Sequence, residues 1–268
     1  MRGGRVIIYP DRIAAVVFDM DGVVTDTASV HADAWARLFD GFLQARAVST
    51  GETFRPFIPD DYRRFIDGKP RYDGVRSFLE ARGITLPDGD ASDPPDRETV
   101  CGLGNRKDGY FLEHLHEHGV AAFPTTVVLV EALLAAGVRT AVISASRNLD
   151  EVLAAAQVEH LFDLRVGGAE ADRLGLAGKP DPAIFLEAAR RLGIDPRRAA
   201  VVEDALAGVE AGRRGGFMLV IGVDRSDHGA ELLAAGADVV VRDLGQVTVS
   251  SGSSPTVEGT GAGTGASG

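Results

Sequence analysis

Ile13-Ala14-Ala15-Val16-Val17-Phe18-Asp19-Met20-Asp21-Gly22 is the stretch on which the reading of this chain turns. A continuous apolar run rich in β-branched residues is the mark of a central parallel strand, buried on both faces. Asp19 and Asp21, at i and i+2, leave its end on one side of the pleat, and Gly22 follows where the backbone must turn sharply. In open parallel sheets ligands bind beyond the carboxyl ends of the strands, so chemistry is expected here. Two like charges held this close need a cation or a proton between them, and a hard ion such as Mg²⁺ meets that need. Taken alone, the segment fits equally well a strand followed by an acidic turn; the rest of the chain decides.

The 268 residues suffice for one large domain or a core with an inserted module. Apolar content of 45% and a mean hydropathy near zero fit an ordinary globule. A net charge of −11 disfavours nucleic acid or an anionic membrane as partner, since both demand a basic footprint. It leaves room for a small phosphorylated substrate, which needs only a few local cations. Cys101 is the single cysteine, so no intramolecular disulfide forms. No apolar stretch approaches membrane-spanning length and Met1–Pro10 lacks a signal-peptide core. A soluble, cytoplasmic monomer is expected.

From about Gly119 onward, strands and helices alternate. Strands are predicted at Arg139–Ile143, Leu164–Val166, Ala199–Val202, Phe217–Ile221 and Asp238–Val241. Helices fall near Thr125–Ala136, Leu149–Gln157, Pro182–Leu192, Ala205–Arg214 and Gly229–Ala235. Asp181 is a candidate N-cap, Pro182 takes the first helical position and Gly193 ends the helix. The alternation predicts an α/β fold, a doubly wound parallel sheet with right-handed crossovers. Between Ser29 and Gly119 the chain instead reads as helices, near Thr27–Ala45, Asp60–Ile66, Asp73–Ala81 and Lys107–His118, broken by the polar loop Pro87–Pro95. The expected organisation is a core of residues 1–28 and 119–244, a helical cap of residues 29–118 inserted after the first strand, and a disordered Gly/Ser/Thr-rich tail over 245–268.

Three further strand ends carry polar groups. Arg139–Ile143 runs into Ser144-Ala145-Ser146-Arg147-Asn148, a hydroxyl and free amides entering a helix, which fits a phosphate cradle or a plain N-cap. Gly178-Lys179-Pro180-Asp181-Pro182 sets a lysine just before a helix, and Ala199–Val202 ends in Glu203-Asp204. The order D-x-D, Ser, Lys-Pro, Glu-Asp, each at a βα junction, resembles the haloacid dehalogenase superfamily of phosphotransferases. That resemblance implies Asp19 as nucleophile, forming an aspartyl phosphate, and Asp21 as general acid/base. It implies Mg²⁺ held by the Asp19 carboxylate, the main-chain carbonyl of Asp21 and Asp204, with Glu203 in or near its shell. Ser144 and Lys179 would hold the transferring phosphoryl oxygens, with Ala145 beside them. A phosphate dianion repels a carboxylate nucleophile, so a metal and a lysine suit the chemistry.

A closer likeness lies in Phe18-Asp-Met-Asp-Gly-Val-Val-Thr-Asp-Thr27-Ala-Ser-Val-His31-Ala-Asp-Ala-Trp35, which is similar to the opening of the β-phosphoglucomutase family. There a Thr and a His at the first hinge influence the acid/base aspartate; Thr27 and His31 stand four residues apart, on one helix face. Asp67-Gly68-Lys69-Pro70-Arg71-Tyr72-Asp73-Gly74 and Gly104-Asn105-Arg106-Lys107 match the cap segments in which that family binds the non-transferring phosphate. Gly68, Arg71 and Lys107 are the candidates, with Asn148 contributing from the core. The chain departs from the family at Asp108, where Asn is frequent, and in a longer loop around Pro87–Pro95. The resemblance implies interconversion of β-D-glucose 1-phosphate and glucose 6-phosphate through a 1,6-bisphosphate. A sugar-phosphate phosphatase with water as acceptor is the rival, and a non-catalytic sugar-phosphate sensor a more distant one. His114, His116 and His118 form no predicted metal site, because i and i+2 diverge on a helix, and Gly102-Leu103-Gly104 lacks the context of a nucleotide fingerprint.

Overall fold

Every residue of the strand Ala15–Asp19 is buried, and its two faces enter two different apolar clusters. Val16 and Phe18 pack with Val142 and Val202 on one side; Ala15 and Val17 pack with Ala141 and Val201 on the other. Burial on both faces is why this segment shows no polar alternation. The computed structural model describes residues 6–51, 53–225 and 227–252.

In chain order the elements are β1 (Val6–Ile8), β2 (Ala15–Asp19), α1 (Ala28–Thr50), α2 (Pro59–Phe65), α3 (Arg71–Ala81), α4 (Val100–His118) and α5 (Pro124–Ala135). There follow β3 (Arg139–Ile143), α6 (Leu149–Ala155), β4 (Leu164–Val166), α7 (Gly168–Leu174), α8 (Ala183–Leu192), β5 (Ala199–Glu203), α9 (Leu206–Arg214), β6 (Leu219–Val223), α10 (Gly229–Ala235), β7 (Val239–Val241) and β8 (Val247–Val249). Six strands form one parallel sheet in the order β4-β3-β2-β5-β6-β7, the doubly wound arrangement expected. Its register sets Asp19 opposite Ile143 and Phe18 opposite Val202, so the carboxyl ends of β2, β3 and β5 deliver Asp19, Ser144 and Glu203 to one rim.

The helices α1 to α4 bury a third cluster of their own. Trp35, Leu38, Phe39 and Phe42 of α1 meet Phe78 and Leu79 of α3 and Leu103 of α4. Phe39 lies 4.1 Å from Phe78 between ring centroids; burying such a side chain contributes about 1.5–3 kcal/mol. The Thr99 hydroxyl caps α4 by accepting the Gly102 N–H, and donates in turn to Asp93. That bond ties the loop around Pro87–Pro95 to the helix start, so α4 begins seven residues before the Lys107 expected from periodicity.

Several expectations are corrected. The tail placed from residue 245 starts too early: Val247–Val249 forms β8, paired parallel with β1. Its β-branched residues were masked by surrounding glycine and serine; residues 253–268 lie outside the described residues. The strand expected at Phe217–Ile221 is shifted to Leu219–Val223, because Phe217 turns into the core against Phe185, 6.0 Å away. Helix α7 was not anticipated. Pro182 is itself the N-cap of α8, and Asp181 serves that end by accepting the Ala183 N–H at 2.9 Å.

Candidate active site

Asp19 is the last residue of β2 and sits 6% exposed at the sheet rim. One carboxylate oxygen accepts the main-chain N–H of Asp21 at 3.0 Å, and the other meets Lys179 Nζ at 2.5 Å. Lys179, 4% exposed, also donates to Glu203 at 2.5 Å, so one ammonium lies between two buried carboxylates. Burial, with Glu203 and Asp21 adding to it, pushes the Asp19 pKa well up even against the opposing pull of Lys179. Asp204 is raised likewise, by burial first and then by Asp67, Glu203 and Asp19. On Lys179 itself burial works downward, but Asp19 and Glu203 outweigh it and the amine stays protonated.

Asp19, Glu203 and Asp204 each offer an oxygen within 4.8 Å of the others, the only such cluster of metal-ligating groups among the described residues. The fit to a hard divalent ion is chemical: oxygen donors alone, buried, and in excess of the single lysine charge between them. Gly22 makes room for it. Its φ of +80° favours glycine, and a Cβ there would lie 1.8 Å from Asp204 Oδ2.

The Asp21 side chain, expected as the acid/base with only its main-chain carbonyl toward an ion, points away from the carboxylate cluster. It accepts from Thr27 Oγ1 at 2.5 Å and from Ser144 Oγ at 2.9 Å, which leaves only its main-chain carbonyl for an ion. His31 Nε2 stands 3.3 Å from the same carboxylate, facing it without hydrogen-bond alignment. Burial pushes the Asp21 pKa up, but His31, Thr27 and Ser144 outweigh it and hold the carboxyl well below its usual range. The imidazole stacks on Phe111 at 4.0 Å, and its Nδ1 is 2.5 Å from Lys107 Nζ. A lysine ammonium can only donate, so that contact assigns the ring proton to Nε2, facing Asp21. Burial brings Lys107 down to about 7 and lowers His31, which the Lys107 charge lowers further. Thr27 and His31, four residues apart around the start of α1, thus grip one carboxylate.

A single cavity joins this rim to the helices above it, lined by Asp19, Asp21, His31, Lys107, Lys179 and Asp204 among others. Gly68 and Arg71 also line it, as does Ala145. Gly68 has φ +72°, and a Cβ there would come 3.1 Å from Ala205 Cβ, so the loop before α3 rests on the core. Asn148 is buried and donates to Asp108 at 3.0 Å; Arg71 pairs with the other oxygen of Asp108 at 2.7 Å. Sequence reading overlooked Asp67, Tyr62, Ser146, Arg147 and Asp172, all lining the same cavity. Asp67, pushed up to about 7 by burial and by Glu203, was visible as an acid beside a glycine, and Arg147 lay inside the quoted run. Tyr62, within a short polar helix, carried no signal.

The family model for haloacid dehalogenase-like hydrolases matches residues 13–216. This chain belongs to that family. Within it, the chain is 47% identical over 247 residues to a protein of Mycobacterium bovis named beta-phosphoglucomutase, covering 91% of this chain and 94% of that one. A Thermotoga maritima protein named phosphorylated carbohydrates phosphatase is 30% identical over 85% of this chain and 94% of its own. A solved structure described as a putative beta-phosphoglucomutase, also from Thermotoga maritima, is 28% identical with a TM-score of 0.58, covering 87% of this chain and 96% of that one. The haloacid dehalogenase-like chain is therefore an enzyme of the β-phosphoglucomutase-like group. No described helix is long and apolar enough to cross a membrane.

Proposed function

We propose that this enzyme is a β-phosphoglucomutase that interconverts β-D-glucose 1-phosphate and glucose 6-phosphate. The observation that carries the reading is the line Lys107–His31–Asp21, which ties α4 and α1 of the helical layer to the carboxylate beside Asp19. A hydrolase needs no such link, whereas a mutase must keep its phosphoenzyme from water until a sugar phosphate has bound.

In this reading an Asp19 oxygen attacks one phosphorus of the 1,6-bisphosphate and the bond from that phosphorus to the sugar oxygen breaks, with Asp21 protonating that oxygen as a sugar monophosphate leaves. In the second half Asp21 takes the proton from the free hydroxyl of the sugar phosphate as its oxygen attacks phospho-Asp19, giving the 1,6-bisphosphate. The bisphosphate reorients and returns its other phosphate to Asp19. Asp19, Asp204, Glu203 and the Asp21 carbonyl would hold Mg²⁺, which supplies positive charge between nucleophile and phosphate dianion. Lys179 steadies Asp19 and Glu203 and neutralises the transferring group. Ser144, Thr27 and His31 orient Asp21, a general acid/base being worth about 10²–10⁴-fold in rate. Arg71, Lys107 and Asn148, near Gly68 and Ala145, would hold the non-transferring phosphate, a task suited to guanidinium geometry.

The test measures glucose 6-phosphate formation and phosphate release side by side, with β-D-glucose 1-phosphate and a trace of 1,6-bisphosphate. Isomerisation should dominate. Asp19→Asn should abolish it, and His31→Ala should depress transfer to sugar more than hydrolysis. Brisk phosphate release without isomerisation would refute the mutase reading in favour of a phosphatase.

A further inference from the structure

The cavity is lined by charges of both signs. Asp19, Glu203 and Asp204 gather with Lys179 at the sheet rim, and Arg71, Lys107 and Arg147 line the same cavity. Both arginines there are already paired: Arg71 with Asp108 at 2.7 Å and Arg147 with Asp172 at 3.1 Å. Asp108 differs from Asp172 in bridging two layers. One oxygen takes the guanidinium of Arg71, from α3, and the other accepts the side-chain amide of Asn148, from the loop after β3. A tetrahedral oxyanion spanning the same two donors would use two oxygens in the same way.

We propose that Asp108 is an internal stand-in for the substrate's non-transferring phosphate, latching the helical layer to the core and yielding its two partners when a phosphate dianion enters. This rests on the reading of Arg71 and Asn148 as a phosphate subsite. Charge arithmetic supports displacement rather than accommodation. Asp108 and Asp172 cancel Arg71 and Arg147, so a dianion entering beside them gains from Lys107 alone. With Asp108 swung aside, Arg71 is released to pair with the dianion. The carboxylate is placed to move: its side chain is 24% exposed, unlike the sealed Lys179 cluster. A neutral sugar offers nothing to exchange for the carboxylate, so the latch restricts the subsite to strong oxyanions. It also sets their affinity below what Arg71 and Asn148 alone would give.

The probe is inorganic sulfate, titrated calorimetrically into the Mg²⁺-loaded full chain, which reads the subsite without turnover. Failure here is therefore separate from a failure to isomerise. Asp108→Asn should bind sulfate on the order of ten-fold tighter than the parent, a factor equivalent to about 1.4 kcal/mol. Arg71→Ala should weaken binding, and in the Arg71→Ala background Asp108→Asn should bring no gain, the coupling expected if the two residues act as one unit. Asp108→Ser, shorter and uncharged, should reproduce the gain should the first variant fold poorly. Sulfate binding by Asp108→Asn equal to or weaker than the parent's would overturn the proposal and make Asp108 a residue that orients Arg71. A gain that persists without Arg71 would overturn it as well.

Discussion

Replacing Lys179 with methionine tests the charge balance on which the site depends. The ammonium is 4% exposed and 2.5 Å from each of two carboxylates, of which Asp19 is 6% and Glu203 0% exposed. Methionine preserves much of the volume and removes only the charge. Two buried acids then face each other without a cation, and breaking a buried pair in this manner costs about 3–5 kcal/mol. For a chain of this size each kcal/mol shifts the unfolding midpoint by about 2–4 °C, so a fall of about 6–20 °C is expected in EDTA at pH 8. The sign with pH follows from Asp19. Its folded pKa already lies above the unfolded value, and losing Lys179 removes the largest influence holding it down. A carboxyl with a raised folded pKa favours the folded state at low pH, and that contribution is lost as pH climbs through the folded pKa. The deficit of Lys179→Met should therefore be widest at pH 8 and narrow towards pH 5. Excess Mg²⁺ should narrow it too, because the uncompensated acids of the variant hold the ion more tightly than the parent does, and each ten-fold difference in affinity recovers about 1.4 kcal/mol. Thermal unfolding followed by circular dichroism at both pH values measures this. A deficit at pH 8 below about 1 kcal/mol, or one that widens on acidification, would refute the reasoning.

Two other perturbations test the proposed metal and phosphate sites separately. Gly22→Ala forces a Cβ to within 1.8 Å of Asp204 Oδ2 at a φ of +80°; a stability loss of about 1–3 kcal/mol is expected, together with most of the Mg²⁺-induced rise in midpoint. An unchanged Mg²⁺ response in differential scanning fluorimetry would contradict this. Lys107, with a pKa of about 7, discharges as pH rises through neutrality, so sulfate affinity should fall over that range while sulfate itself keeps its charge. Lys107→Met should be weaker at low pH and flat across it; a parent-like slope in calorimetric titrations would dissociate Lys107 from the anion.

Much of the core was readable because its signals are local. A fully buried strand leaves an unbroken apolar run, and Arg139–Ile143 and Leu164–Val166 stand where periodicity put them. Boundaries failed where a side chain left the regular pattern to satisfy packing, as Phe217 did against Phe185. Strand β8 was missed because three residues gain strand structure only from pairing with β1, 241 positions away in register. A contact of that range has no local trace.

Asp19, Asp21, Ser144 and Glu203-Asp204 stood out in the sequence because each follows a strand, and strand order makes such ends converge; Lys179, expected at a βα junction, instead reaches the rim from the loop between α7 and α8. Which way each side chain then turns was decided only in three dimensions. Asp21 turns from the carboxylate cluster to Thr27 and Ser144, Lys179 divides itself between two acids, and Asp108 joins Arg71 to Asn148 across two layers. The physical reason is that periodicity records burial, which each residue experiences on its own, whereas pairing between charges depends on groups that the chain brings together from far apart.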